Sequence, residues 1–181
     1  MSQSHRPTTP GAAGRPPDGL AAQDDPILVG IDFSAGAALA AHWAARLAAA
    51  LGAPLILVHV VHDPGSAPGS YAGDGIETPY DTLEEAGERL LEGFVEELHA
   101  GHPDLWSRVS VESHLVVGLP ATRLIEAAKK VGAQLVVVGS RGRTGVKRLL
   151  LGSTASKVVQ LAKLPVTVVP TPKKKGKKSS A

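Results

Sequence analysis

LVVVGSRGRTGVKRLLLGST, residues Leu135–Thr154, decides the reading of this chain. Leu135–Val138 is a short apolar run of strand type. It exits through Gly139-x2-Gly142-x9-Gly152-Ser153 into an amphipathic segment, Thr154 to Lys163. Glycines at a strand exit allow a tight turn and bring bare N–H groups close to a ligand. A Gly-Ser pair at a helix start adds free N–H groups and a hydroxyl at the positive end of the helix dipole, and Thr154 follows in the same turn. Arg141, Arg143, Lys147 and Arg148 supply positive charge between the glycines. The combination suits a phosphate group.

Outward from this block the pattern alternates. Pro26–Ile31 reads as a buried strand, and Asp32-Phe33-Ser34 opens a helix. Leu39, Trp43, Leu47 and Leu51, four apart, form an apolar stripe expected to face the core, with Gly52 and Pro54 as the stop. Leu55–Val61 is the second strand. Residues 62–80 form a long Pro- and Gly-rich loop. Asp81 with Glu84 resembles a capping box, and Leu83, Leu90, Leu91, Phe94 and Leu98 are expected to be the buried face of the helix that follows. Val109–Val117 alternates like a half-exposed edge strand. Gly118-Leu119-Pro120 starts a helix running to about Val131, and Pro165–Pro170 is the fifth strand. Strands separated by helices run parallel with right-handed crossovers. The expected fold is a doubly wound, Rossmann-like parallel α/β sheet of five strands, order 3-2-1-4-5, with helices on both faces. In such sheets ligands bind at the carboxyl ends of the strands where the order reverses. That point lies between Asp32, ending the first strand, and Gly139, ending the fourth.

Composition narrows the function. Aromatic residues are only 3% against 43% hydrophobic, so Ala, Val, Leu and Ile must build the core, as in buried parallel sheets. There is no cysteine, and the seven histidines fall in no H-x-x-x-H or H-E-x-x-H pattern; a metal held by protein side chains alone is not expected. No apolar stretch is long enough for a membrane span, and the N-terminus lacks a signal-peptide layout, so the chain reads as cytoplasmic. Residues 1–24 read as a disordered segment, 25–170 as one nucleotide-binding α/β domain, and 171–181 as a basic disordered tail. The tail holds five lysines within Lys173–Lys178. It reads first as a solubilising end and second as a weak contact for nucleic acid or an anionic surface.

The opening ILVGIDFS, the second strand LILVHVV, the segment VGLPATRLIEAA and the whole block VVVGSRGRTGVKRLLLGSTASKVVQLAKLPVTVVP resemble the universal stress protein family, in the branch that binds ATP. The resemblance covers about residues 25 to 170. It implies ATP as ligand, with the backbone at Gly139 and Gly142 approaching ribose and phosphates, and amides at Gly152, Ser153 and Thr154 meeting phosphate oxygens. It implies Asp32 on ribose or adenine, or on a hydrated Mg²⁺ carried by the phosphates. Val60 enters only from the family, as an adenine contact. Each position also has a structural reading: Asp32 as a turn former, Gly139 as a strand exit, Ser153 as a helix cap.

Walker A, G-x-G-x-x-G and G-x-S-x-G patterns are absent. Nothing reads as an efficient hydrolytic site. The expectation is a stress-response regulatory or signalling module holding ATP as a bound ligand, at most a slow ATPase. The alternative is a nucleotide-independent interaction module of the same fold. An adenylylating hydrolase is disfavoured, because Asp32-Phe33-Ser34-Ala35-Gly36 lacks a phosphate-gripping glycine pair. The apolar last strand, Val166–Val169, is an edge that invites homodimerisation, as the family commonly does, and an unidentified protein partner is compatible with a signalling role.

Overall fold

The computed structural model describes residues 25–62, 80–142 and 151–171. Its elements are β1 (Ile27–Ile31), α1 (Ala35–Leu51), β2 (Leu55–Val61), α2 (Tyr80–Gly101), α3 (Pro103–Trp106), β3 (Val111–Val117), α4 (Pro120–Lys130), β4 (Leu135–Gly139), α5 (Ser153–Leu161) and β5 (Val166–Val169). The sheet has five parallel strands in the order β3-β2-β1-β4-β5, as the sequence indicates.

Alternate strand residues feed two separate cores, as the two-residue period of a strand requires. Ile27, Val29, Ile31, Leu55, Leu57 and Val137 pack with α1, α2 and α3 on one face. Leu28, Ile56, Val58, Val60, Val136 and Val138 pack with α4 and α5 on the other. β3, at an edge, has no fully buried residue, consistent with its alternating sequence. No helix among the described residues is long and apolar enough to cross a membrane.

α1 departs from expectation. Its buried side is Ala37, Ala40, Ala41, Ala44, Ala45 and Ala48, together with Gly36. Leu39, Trp43 and Leu51 are exposed, at 39%, 39% and 45%. Both sets have helical spacing, and the sheet selects the small one. Gly36 lies so near the end of β4 that a Cβ added at Gly139 would sit 2.9 Å from the Gly36 carbonyl carbon. A helix held that close has room beneath it for methyl groups only. On α2, Leu91 and Leu98 are buried and Phe94 half-buried as expected, but Leu90 is 56% exposed. Adjacent residues lie about 100° apart around a helix, and of this pair Leu91 takes the core side while Leu90 falls outside it. α2 begins at Tyr80, and the side chain of Asp81, read as its cap, lies outside what the structure describes. Ser34 caps α1: its Oγ accepts from Ala37 N–H at 3.1 Å. The loop through Asp63, the tail beyond Thr171 and the cations Arg143, Lys147 and Arg148 lie outside the described residues.

α3, which the sequence reading passes over, carries the largest fully buried side chain, Trp106. Its indole Nε1–H donates to His42 Nδ1 at 3.2 Å, so that nitrogen is unprotonated. His99 of α2 stacks on the indole at 5.2 Å, and His102 stands edge-on to His42 at 4.6 Å. Burial, and then the like charge of His102, lower the His42 pKa from its ordinary 6.5. A histidine harder to protonate in the folded chain than in the unfolded one costs stability as pH falls below the ordinary value and through the folded one. The melting temperature should therefore drop between pH 7.5 and pH 5. Substitution H42Q should flatten part of that drop, as thermal melts of the two proteins at each pH will show.

Candidate nucleotide site

β1 leads to α1 on one face of the sheet, and β4 leads to α5 on the other. Their carboxyl ends therefore part, and a cavity of about 240 Å³ opens between them. All seven residues singled out from the sequence line it: Asp32, Val60, Gly139, Gly142, Gly152, Ser153 and Thr154. Ile31, Val58, Pro120, Leu124, Val138 and Ala155 give it an apolar wall, and Arg141 and His59 complete the polar part.

Two wall residues, Gly30 and His59, and Ser140, between the wall residues Gly139 and Arg141, shape the site without being singled out from the sequence. Gly30 shares its strand face with Leu28 and Asp32. A Cβ there would stand 2.9 Å from Leu124 Cδ1 and 3.3 Å from Val138 Cγ1, so the missing side chain keeps the cavity floor open. A glycine inside a strand is the signal for such a close approach. His59 Nδ1 donates to the Ile31 carbonyl at 2.8 Å; a carbonyl only accepts, which fixes the proton on Nδ1. Ser140 ties the loop. Its N–H donates to Val169 O at 2.8 Å, its carbonyl accepts from Gly152 N–H at 2.9 Å, and its Oγ accepts from Thr171 N–H at 3.1 Å. The ordered contacts thus reach one residue past Pro170.

The glycines of the motif save space for the protein itself. Added Cβ atoms at Gly139, Gly142 and Gly152 would meet the backbone of Gly36 at 2.9 Å, Asp32 Oδ2 at 2.5 Å and Ser140 O at 3.4 Å respectively. Gly152 caps α5 without a side-chain bond, and its own N–H is taken by Ser140. The first bond inside the helix runs from Ser156 N–H to Gly152 O, at 2.8 Å. The amides of Ser153, Thr154 and Ala155 therefore have no acceptor within the helix, and all three residues line the cavity. Asp32 Oδ1 accepts from Ser34 N–H at 3.1 Å and from Ser34 Oγ–H at 2.5 Å, which leaves Oδ2 beside Gly142. Among the described residues no group of three His, Cys, Asp or Glu side chains is placed to hold a metal. Asp32 is the only carboxylate among the described wall residues, which fits an ion held mainly by phosphates and water.

A parallel doubly wound sheet with helix amides and a carboxylate at its switch point defines a Rossmann-like α/β protein. Comparison with known proteins makes the class specific: residues 25–170 match the universal stress protein family, and the chain belongs to it. A universal stress protein of Mycolicibacterium smegmatis is 39% identical over 154 residues, 84% of this chain and 48% of that one. This chain spans about half the length, or less, of the first curated relatives it matches. Among solved structures, the universal stress protein UspA of Lactobacillus plantarum shares the fold, with TM-score 0.63 at 23% identity, over 82% of this chain and 99% of that one. A universal stress protein in complex with cAMP is 26% identical, with TM-score 0.56, over 82% of this chain and 98% of that one.

The two loop glycines should respond differently to alanine. G139A drives a methyl into backbone that cannot yield, and should cost about 2 kcal/mol. G142A pushes only a carboxylate, and should cost about 1 kcal/mol through the displaced hydrogen bonds. Urea unfolding of both variants measures the order, and equal costs would contradict it.

Proposed function

We propose that this protein is an ATP-binding module of the stress response, in which the nucleotide and its Mg²⁺ are a bound signal more than a substrate. The observation that carries this reading is the convergence of Asp32, Val60 and the Gly139–Thr154 motif on one cavity at the switch point. The similar protein solved with cAMP supports an adenine nucleotide as the ligand class.

In this assignment the base lies against Val58, Val60 and Leu124, on the floor that Gly30 keeps clear. The phosphates meet the amides of Ser153 and Thr154 at the positive end of α5, with Arg141 alongside. Asp32 Oδ2 holds ribose or the water shell of Mg²⁺. The cavity, about 240 Å³, is close to the roughly 300 Å³ at which ordinary small-molecule sites begin, which suits base and sugar inside with phosphates at the rim. Asp32 Oδ1 is already engaged by Ser34, which leaves Oδ2 for the ligand. Bound nucleotide then biases the surface offered to a protein partner, in a cytoplasmic setting.

Isothermal titration with Mg-ATP should give saturable heat, and D32N should weaken binding and its dependence on Mg²⁺. No heat at millimolar ATP would remove the proposal.

We infer in addition a homodimer through β5. This strand ends the sheet and is half-buried along its length. The Pro165 and Val169 carbonyls bond to β4, so the alternate residues Val166 and Val168 present their N–H and C=O groups outward. Light scattering should give the mass of two chains at micromolar concentration. V168P, which removes an outward N–H and leaves the β4 ladder intact, should give the mass of one.

A further inference from the structure

Phe33 is the only non-glycine residue with positive φ among the described residues, at 61°. The left-handed region suits glycine and is unfavourable for a bulky side chain. A glycine here would adopt this backbone at no steric cost, so the ring must be held there by its contacts. It lies over the imidazole of His59, with ring centres 4.2 Å apart, and meets Phe94 of α2 edge-on at 5.7 Å.

The contacts around it pin the whole turn. The Ile31 carbonyl accepts from His59 Nδ1–H. Asp32 Oδ1 receives both donors of Ser34. Ser34 Oγ in turn accepts from Ala37 N–H, which locks the turn to the first turn of α1. Gly142 leaves the carboxylate one place to lie, since even a methyl there would be 2.5 Å from Asp32 Oδ2. Asp32 and His59 line the cavity. Phe33 does not; it lines a shallower hollow next to it, with Ser34, Gly36 and Gly142.

We propose that Phe33 is a positioning residue for the ligand site: clamped between His59 and Phe94, it holds residues 31–34 in the one turn that aims the Asp32 carboxylate at the glycine loop. The inference rests on the nucleotide reading for its ligand, and on geometry alone for the clamp. It also makes α2 a part of the site. Phe94 meets the turn through Phe33, whose ring also lies on His59, so the clamp joins α2 to the turn that carries Asp32. Removing the ring while keeping the backbone at ease should free the carboxylate without a steric penalty.

The test uses the full chain in five forms: wild type, F33G, F33Y, D32N and D32N/F33G. In F33G the Ser34 amide, which donates to Asp32, should exchange with solvent roughly tenfold faster by NMR, and Mg-ATP should bind roughly tenfold more weakly. F33Y keeps the ring and should stay within about twofold of wild type on both measures. In the D32N background F33G should weaken binding no further, because the effect passes through the carboxylate. Wild-type affinity in F33G, or an equal loss in both backgrounds, overturns the proposal. If the wild type binds no ATP, the nucleotide reading falls by itself. Ser34 exchange then decides the clamp: equal rates in wild type and F33G overturn it, and a faster rate in F33G upholds it.

Discussion

The end of β4 and the first turn of α1 meet with no side chain between them, and the rest of the molecule is arranged around that contact. Gly139 lies against Gly36, and Gly36 lies against the Arg141 carbonyl, where an added Cβ would stand at 2.7 Å. Backbone on backbone at this distance admits no substitute. It draws α1 down onto the sheet, and the alanines beneath follow from it. It also sets the ends of β1 and β4 side by side, and from there their chains leave for opposite faces. The cavity is the space left by that parting.

The glycine motif acts on the protein itself. Gly139 makes room for α1 and Gly142 for Asp32, while Gly152 donates its N–H to the Ser140 carbonyl. Ser140 then joins β5, the start of α5 and the chain after β5 through three hydrogen bonds. The amides of Ser153, Thr154 and Ala155 are exposed to the cavity because this tie fixes where α5 begins. A loop that gripped phosphate by flexibility alone would have to be ordered by the ligand at a cost to affinity. Here the described part of the loop is already fixed.

Much of this was legible in the sequence. Apolar runs separated by helical segments fit a parallel sheet of order 3-2-1-4-5, which the structure has, and that order places the switch point. Every residue singled out for the site lines the same cavity. The helix faces were less legible. The leucine and tryptophan stripe of α1 has the right period, yet Leu39, Trp43 and Leu51 face outward. Period shows that a helix has a face, whereas the gap beneath it decides which face goes in. Leu90 was misplaced beside Leu91 for a related reason, since adjacent residues on a helix point about 100° apart. Trp106 was missed because a four-residue helix leaves no periodic signal.

The sequence by itself determined the parallel α/β layering and brought the motif residues to the carboxyl ends of the strands. These depend on local period and on chain connectivity, both of which are written residue by residue. Only the tertiary structure decided how close the glycines let the backbone come, which face of α1 is buried, and that Phe33 adopts a left-handed turn against rings from β2 and α2. Those facts depend on distances between segments far apart in the chain, and a one-dimensional pattern carries no record of a distance.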